Sequence, residues 1–126
     1  MNKEFIPYEE SSALKELGFN EPCFGYWNID PYLPKPTLNL VKPFDHEWCI
    51  PAPLYQQAFR WFRDKHKIHA VVEITIESQW YFSIYNLAAK RNAEIEDIID
   101  YKEGFITYEE SELACLKKLI EIVKNK

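Results

Sequence analysis

Apolar residues recur at helical spacing in three stretches of the chain and alternate with polar ones in four. The first helical stretch is residues 8–17, where Ala13, Leu14 and Leu17 make one inward stripe. Pro7 suits its start, because the N–H that proline lacks has no helical partner there anyway. Glu9 and Glu10 fall in the first turn, where the helix dipole favours negative charge. Gly18 is the natural residue just past the end. That placement makes Leu14 and Phe19 the pair that touches in a Schellman ending.

The central helix is predicted over residues 54–66. Leu54, Tyr55, Ala58, Phe59 and Phe62 form its buried face. Arg60, Arg63 and Asp64 face water, with Trp61 at the margin. The last helix is predicted over residues 108–124. Leu113, Leu116, Ile120 and Val123 form its stripe, widened by Leu119, and lysines gather toward its C-terminus.

Strands are predicted at 23–29 ("CFGYWNI"), in "TLNLVK" as an edge strand, and in "HAVVEITIE" and "WYFSIYN". Pro31, Pro34 and Pro36 stiffen the first connection, and residues 43–53 read as a loop. In the last two strands, Val72, Ile74 and Ile76 share one face, as do Phe82 and Ile84. A two-residue turn would set these against Tyr81 and Ser83, because a one-residue slip flips every side chain. The pattern therefore predicts an odd loop of three or five residues, pairing Ile76 with Phe82 and Ile74 with Ile84. Residues 87–104 read either as a short helix or as a long surface loop, and both stay open. The order of elements indicates an α+β fold in a single domain, residues 1–126. It has a small antiparallel sheet of about four strands, with about three helices packed mainly on one face.

"FIPYEES" at Phe5 returns as "FITYEES" at Phe105, with six of seven residues identical. Two copies a hundred residues apart are not a repeat architecture. They read as two starts of the same local kind, a strand-like approach followed by an acidic first helical turn. Thr107 and Glu110 can form a capping box, whereas Pro7 has no oxygen with which to cap.

With 126 residues, 47% of them hydrophobic, the chain can build a real core. Its net charge of −5 lacks the basic field of a general nucleic-acid binder. Cys23, Cys49 and Cys115 are widely spaced and odd in number, so they read as reduced, mostly buried thiols. No run approaches the ~18 apolar residues of a membrane span. The opening "MNKEFIPYEE" lacks a signal-peptide core, so a cytoplasmic location is expected.

Candidate chemistry is sparse. Asp45-His46-Glu47 is rich in ligand atoms, but adjacent residues on an extended chain point different ways, so no metal or other cofactor is expected. No G-x-S-x-G elbow or phosphate-cradling glycine loop occurs, which argues against an enzyme without excluding a site formed only in three dimensions. Arg60, Arg63, Lys65 and Lys67 around Trp61 combine basic and aromatic groups, as nucleic-acid surfaces do. Tyr26, Trp27, Tyr32, Phe44 and Trp48 gather in proline-rich sequence and are candidate protein-binding anchors. Their competing role is to cover the open face of a small sheet.

"YEESSALKELGFNEPCFGYW", "PLYQQAFRWFRDKHKIHAVV" and "FITYEESELACLKKLIEIVKNK" together resemble small uncharacterised proteins of phages, prophages and mobile elements of gut Bacteroidetes. That resemblance implies an accessory protein acting by protein–protein binding, with host functions or defence as its targets. It brings no catalytic residues. The expectation is thus a cytosolic binding protein, with a nucleic-acid-associated regulator as the alternative.

Overall fold

In a computed structural model describing residues 2–32, 34–40, 48–87 and 98–126, the helix after Pro7 forms where the pattern puts it. Helix α1 spans Tyr8–Glu16, with Pro7 as N-cap and Leu17 as C-cap. Gly18 follows at φ 104°, a conformation that side chains with a Cβ resist. The Phe19 N–H donates to the Leu14 carbonyl at 3.0 Å and the Gly18 N–H to that of Lys15 at 3.1 Å. This is the expected Schellman ending, and Leu14 and Phe19 are both buried. The inward stripe sits elsewhere than expected: Glu10, Ser11 and Leu14 are buried, while Ala13 and Leu17 are only partly so. The Ser11 hydroxyl is accommodated by donating to the Ile6 carbonyl at 3.1 Å.

The chain divides into two compact units, Met1–Ala58 and Phe59–Lys126. In the first, strands β1 (Gly25–Asn28), β2 (Thr37–Asn39) and β3 (Cys49–Ala52) form an antiparallel sheet in the order β2-β1-β3. "TLNLVK" does supply an edge strand, but β3 lies in what reads as a proline-rich loop. Pro51 is tolerated because β3 is itself an edge, where a missing N–H need not interrupt a ladder. Helix α1 packs on β3.

Helix α2, Tyr55–His66, starts in the first unit and ends in the second. Tyr55, Ala58 and Phe62 are buried as expected. Trp61 is buried too, rather than marginal, and Leu54 and Phe59 are half-buried.

In the second unit, β4 (Ile68–Ile74), β5 (Trp80–Asn86) and β6 (Ile98–Phe105) form another antiparallel sheet in the order β4-β5-β6. Helix α3, Tyr108–Lys124, packs on all three strands. Its buried stripe is Ser111, Glu112, Cys115, Leu116, Leu119 and Ile120, while Leu113 and Val123 at the predicted stripe's ends are half-buried.

The fold of the described residues is therefore α+β, with six strands in two three-stranded sheets instead of about four in one. The extra strands are β3 and β6. Within sequence 87–104, the part from Ile98 on is neither helix nor loop, because Ile98–Phe105 is a strand. The β4–β5 loop is odd, as expected, with five residues between the paired Ile74 and Trp80. Its register is four residues off the expected one: Val72 faces Phe82 and Ala70 faces Ile84, where Ile76 and Ile74 were expected. A shift of four, being even, preserves the face of every side chain. It arises because β4 stops at Ile74. The Ser78 N–H closes a turn onto the Thr75 carbonyl at 3.1 Å, with Ser78 at φ 64°.

The two similar stretches do open their helices differently. Phe5 bridges Leu54, and Phe105 ends β6, so each approach is strand-like. Thr107 caps α3, its Oγ1 accepting from the Glu110 N–H at 3.1 Å, whereas Pro7 makes no side-chain cap. Ser11 and Ser111, at the same position of each copy, are both buried.

Candidate functional site on the open face of the second sheet

Strand β5 sorts its side chains strictly by alternation. Phe82 and Ile84 are buried on the side that α3 covers, and Trp80 meets Tyr108 of α3 edge-on at 5.2 Å. Tyr81, Ser83 and Tyr85 face the other way. Opposite them on β4 are Glu73, Val71 and His69.

Strand β6 reaches the same two-sided pattern through two bulges. Trp80 pairs with Phe105 but Tyr81 pairs with Glu103, which leaves Gly104 as an extra residue at φ 95°. Likewise Ile84 pairs with Asp100 and Tyr85 with Ile98, leaving Ile99 over. Without the first bulge, Phe105 and Glu103 would share a face. With it, Phe105 stacks near Phe82 at 5.9 Å, while Glu103 and Tyr101 turn to the open side. Asp100 and Lys102 project on the α3 side. Asp100 lies 3.9 Å from Lys118 of α3, and the Lys102 ammonium sits 5.9 Å from the Phe105 ring centre.

The open face thus carries Glu73, Tyr81 and Glu103 in one row across three strands, with Ser83 and Tyr101 in the next. The Tyr81 and Tyr101 rings lie 5.5 Å apart, tilted by 43°. The Tyr81 hydroxyl donates to Glu73 at 2.8 Å, and the Tyr101 hydroxyl to Glu103 at 2.7 Å. Those hydrogen bonds are the main reason that both phenols hold their protons above the ordinary tyrosine range. A groove of about 750 Å³ runs over the face and the β4–β5 turn, lined by Ile76, Glu77, Tyr81, Ser83, Ile98 and Tyr101 among others. Ile76 is fully exposed at the turn, and Ile74, Ile98 and Tyr101 are also exposed. Ser83 is the buried floor of the groove.

The described anchors among those expected from the sequence lie in different surroundings. Tyr26 and Trp27 are neighbours on β1 and so point to opposite faces. Tyr26 lines a small cavity of about 270 Å³ with Lys15, Glu21 and Cys49. Trp27 is engaged structurally: its ring N–H donates to the Ile6 carbonyl at 2.9 Å, and its ring meets Tyr8 edge-on at 6.4 Å. Tyr32 is 88% exposed in a turn where its N–H bonds Asp30. Trp48 is partly exposed, and its carbonyl accepts from the Ile29 N–H. Phe44 lies outside the described residues, as do Asp45, His46 and Glu47.

Arg60, Lys65 and Lys67 are exposed, and Arg63 is half-buried. At about 100° per residue, Arg60 and Arg63 share a side of α2, while Lys65 projects from another. Lys67 follows the helix at φ 56°. Among the described residues, no three His, Cys, Asp or Glu side chains converge as a metal site would need, and no helix is long and apolar enough to cross a membrane. Cys23, Cys49 and Cys115 form no disulfide among the described residues. Burial pushes the Cys23 and Cys115 thiols up to about 12, so neither is a ready nucleophile.

A signal for the open face was present in the sequence. Tyr-x-Ser-x-Tyr at 81–85 is the complement of Trp-x-Phe-x-Ile at 80–84. Tyr101 and Glu103 were hidden because a glycine-interrupted, acidic stretch does not read as a strand. Comparisons with protein-family models, curated proteins and solved structures give no match.

Proposed function

We propose that this chain is a binding protein that acts on another protein through the open face of its second sheet. The observation that carries this reading is the surface of exposed Tyr101, Ile76 and Ile98 and half-buried Tyr81 around a groove. Exposed apolar groups gathered on one face, rimmed by polar ones, are characteristic of interaction sites. The preferred contact region moves from residues 26–48 to this face, because Trp27 is already engaged within its own unit. The resemblance to proteins of mobile elements favours a host or viral protein as the partner and the cytoplasm as the place of action.

The test is site-specific photo-crosslinking in host lysate. A photoreactive side chain at Ile76 or Tyr101 should capture a partner that the same group at Lys124, exposed on α3, does not. Equal capture from all three positions, or none from the face, overturns the reading.

A nucleic-acid role remains the second reading, supported by the exposure of Arg60, Lys65 and Lys67. It requires DNA or RNA binding that falls steeply with salt. Unchanged mobility of single- and double-stranded probes at low salt removes it.

A further inference from the structure

Taking the open face as the binding surface, we infer that its occupant is an arginine-bearing basic segment of the partner protein. The charge of the face is one-sided. Glu73, Glu103 and Glu77 surround the two tyrosines, and the described residues lining the groove include no lysine or arginine. The lysine of β6 points elsewhere: Lys102 lies over Phe105 on the α3 side.

The geometry selects guanidinium among cations. Glu73 and Glu103 flank Tyr81 on neighbouring strands, so a planar cation resting on that ring has a carboxylate at either edge. Arginine stacks on aromatic faces and bonds carboxylates in the same plane, whereas an ammonium is a compact, strongly hydrated point charge. Each phenol holds one oxygen of its carboxylate. The second oxygen of each has no partner among the described residues and can accept from an incoming N–H. The phenol bonds also fix the two carboxylates beside the rings, which reduces the ordering needed on binding. Ile76 and Ile98 supply apolar contact for the aliphatic stems that arginine buries.

The experiment uses the whole chain and three capped decapeptides. One alternates arginine with serine, one replaces arginine with citrulline, its neutral isostere, and one replaces it with glutamate. Amide shifts in ¹⁵N–¹H spectra are followed at Tyr81, Ser83 and Tyr101. The arginine peptide should shift these three and the others should not. Glu73→Gln with Glu103→Gln should weaken its binding roughly fivefold or more, the scale of two partly exposed ion pairs. Glu109→Gln with Glu110→Gln, which removes two negative charges from α3 instead, should leave it unchanged. The inference is overturned if the arginine peptide does not shift the face, if citrulline serves as well, or if both double variants weaken binding alike. A partner cross-linked at Ile76 or Tyr101 that ignores charge would leave the protein-binding reading standing while this inference falls. Absence of both results removes both.

Discussion

Tyr81 and Tyr101 lie on neighbouring strands with their rings 5.5 Å apart, yet neither phenol bonds the other. Each donates instead to its own carboxylate, Tyr81 to Glu73 and Tyr101 to Glu103. The pair is two matching units side by side, so their protonation should separate cleanly. Glu73→Gln should bring the Tyr81 phenol down toward its ordinary range, since that carboxylate supplies the leading cause of its shift. Tyr101 should stay raised, because Glu103 holds it. Titration of ¹³Cζ-labelled tyrosine by NMR checks this, and a joint fall of both phenols would contradict it.

The face exists because Gly104 absorbs one residue of β6. A valine there would need φ near 95°, which L residues resist and β-branched ones resist most. Gly104→Val should cost about 1–3 kcal/mol, the usual range for a non-glycine residue held in a sparsely populated region. Gly104→Asn should cost less, because asparagine tolerates positive φ better. Urea denaturation midpoints give the order. The valine variant should also disturb the amide signals of Tyr101 and Glu103 before those of Val71, since the bulge sets the register on its own side only.

How much was legible in the chain depended on whether local chemistry or distant pairing decided the outcome. The α1 ending was readable down to its hydrogen bonds because Leu14, Gly18 and Phe19 are local to it. The limits of α3 were readable for the same reason, with Thr107 at one end and a long apolar stripe between. The hairpin face was readable from alternation, but its register was not. Pairing Phe82 with Ile76, as expected, or with Val72, as found, differs by four residues, and both keep the isoleucines on one side. Strands β3 and β6 escaped notice because Pro51 and Gly104 are poor strand residues, made acceptable by an edge position and a bulge. The candidate site was lost with β6, since Tyr101 and Glu103 acquire a face only once that strand is paired. The buried Trp61 shows the same limit, because a periodicity argument could place it only at the margin of its helix.

The two similar helix starts should respond unequally to alanine. Thr107 Oγ1 accepts from the Glu110 N–H at 3.1 Å, so Thr107→Ala should cost about 1 kcal/mol. Pro7 makes no side-chain cap, and Pro7→Ala should cost less. Chemical denaturation of the two single variants makes the comparison. Equal losses would mean that the copies are equivalent after all.

Glu112 offers a stability test whose sign can be worked out. It lies in the buried stripe of α3, and burial raises its carboxyl above the ordinary range. The Tyr108 phenol opposes the shift and Glu109 adds to it. A carboxyl that holds its proton more tightly when folded favours folding most in acid. That contribution is fully present below its unfolded pKa and is lost as pH rises through the folded one. At neutral pH the ionised, half-desolvated group is therefore a burden. Glu112→Gln keeps an oxygen to face the Tyr108 hydroxyl and removes the charge. The variant should melt above the parent at pH 7, and the difference should shrink toward zero near pH 4. Paired thermal melts across that range decide it. A variant less stable than the parent at pH 7 would show that the ionised carboxylate makes an interaction worth more than its desolvation.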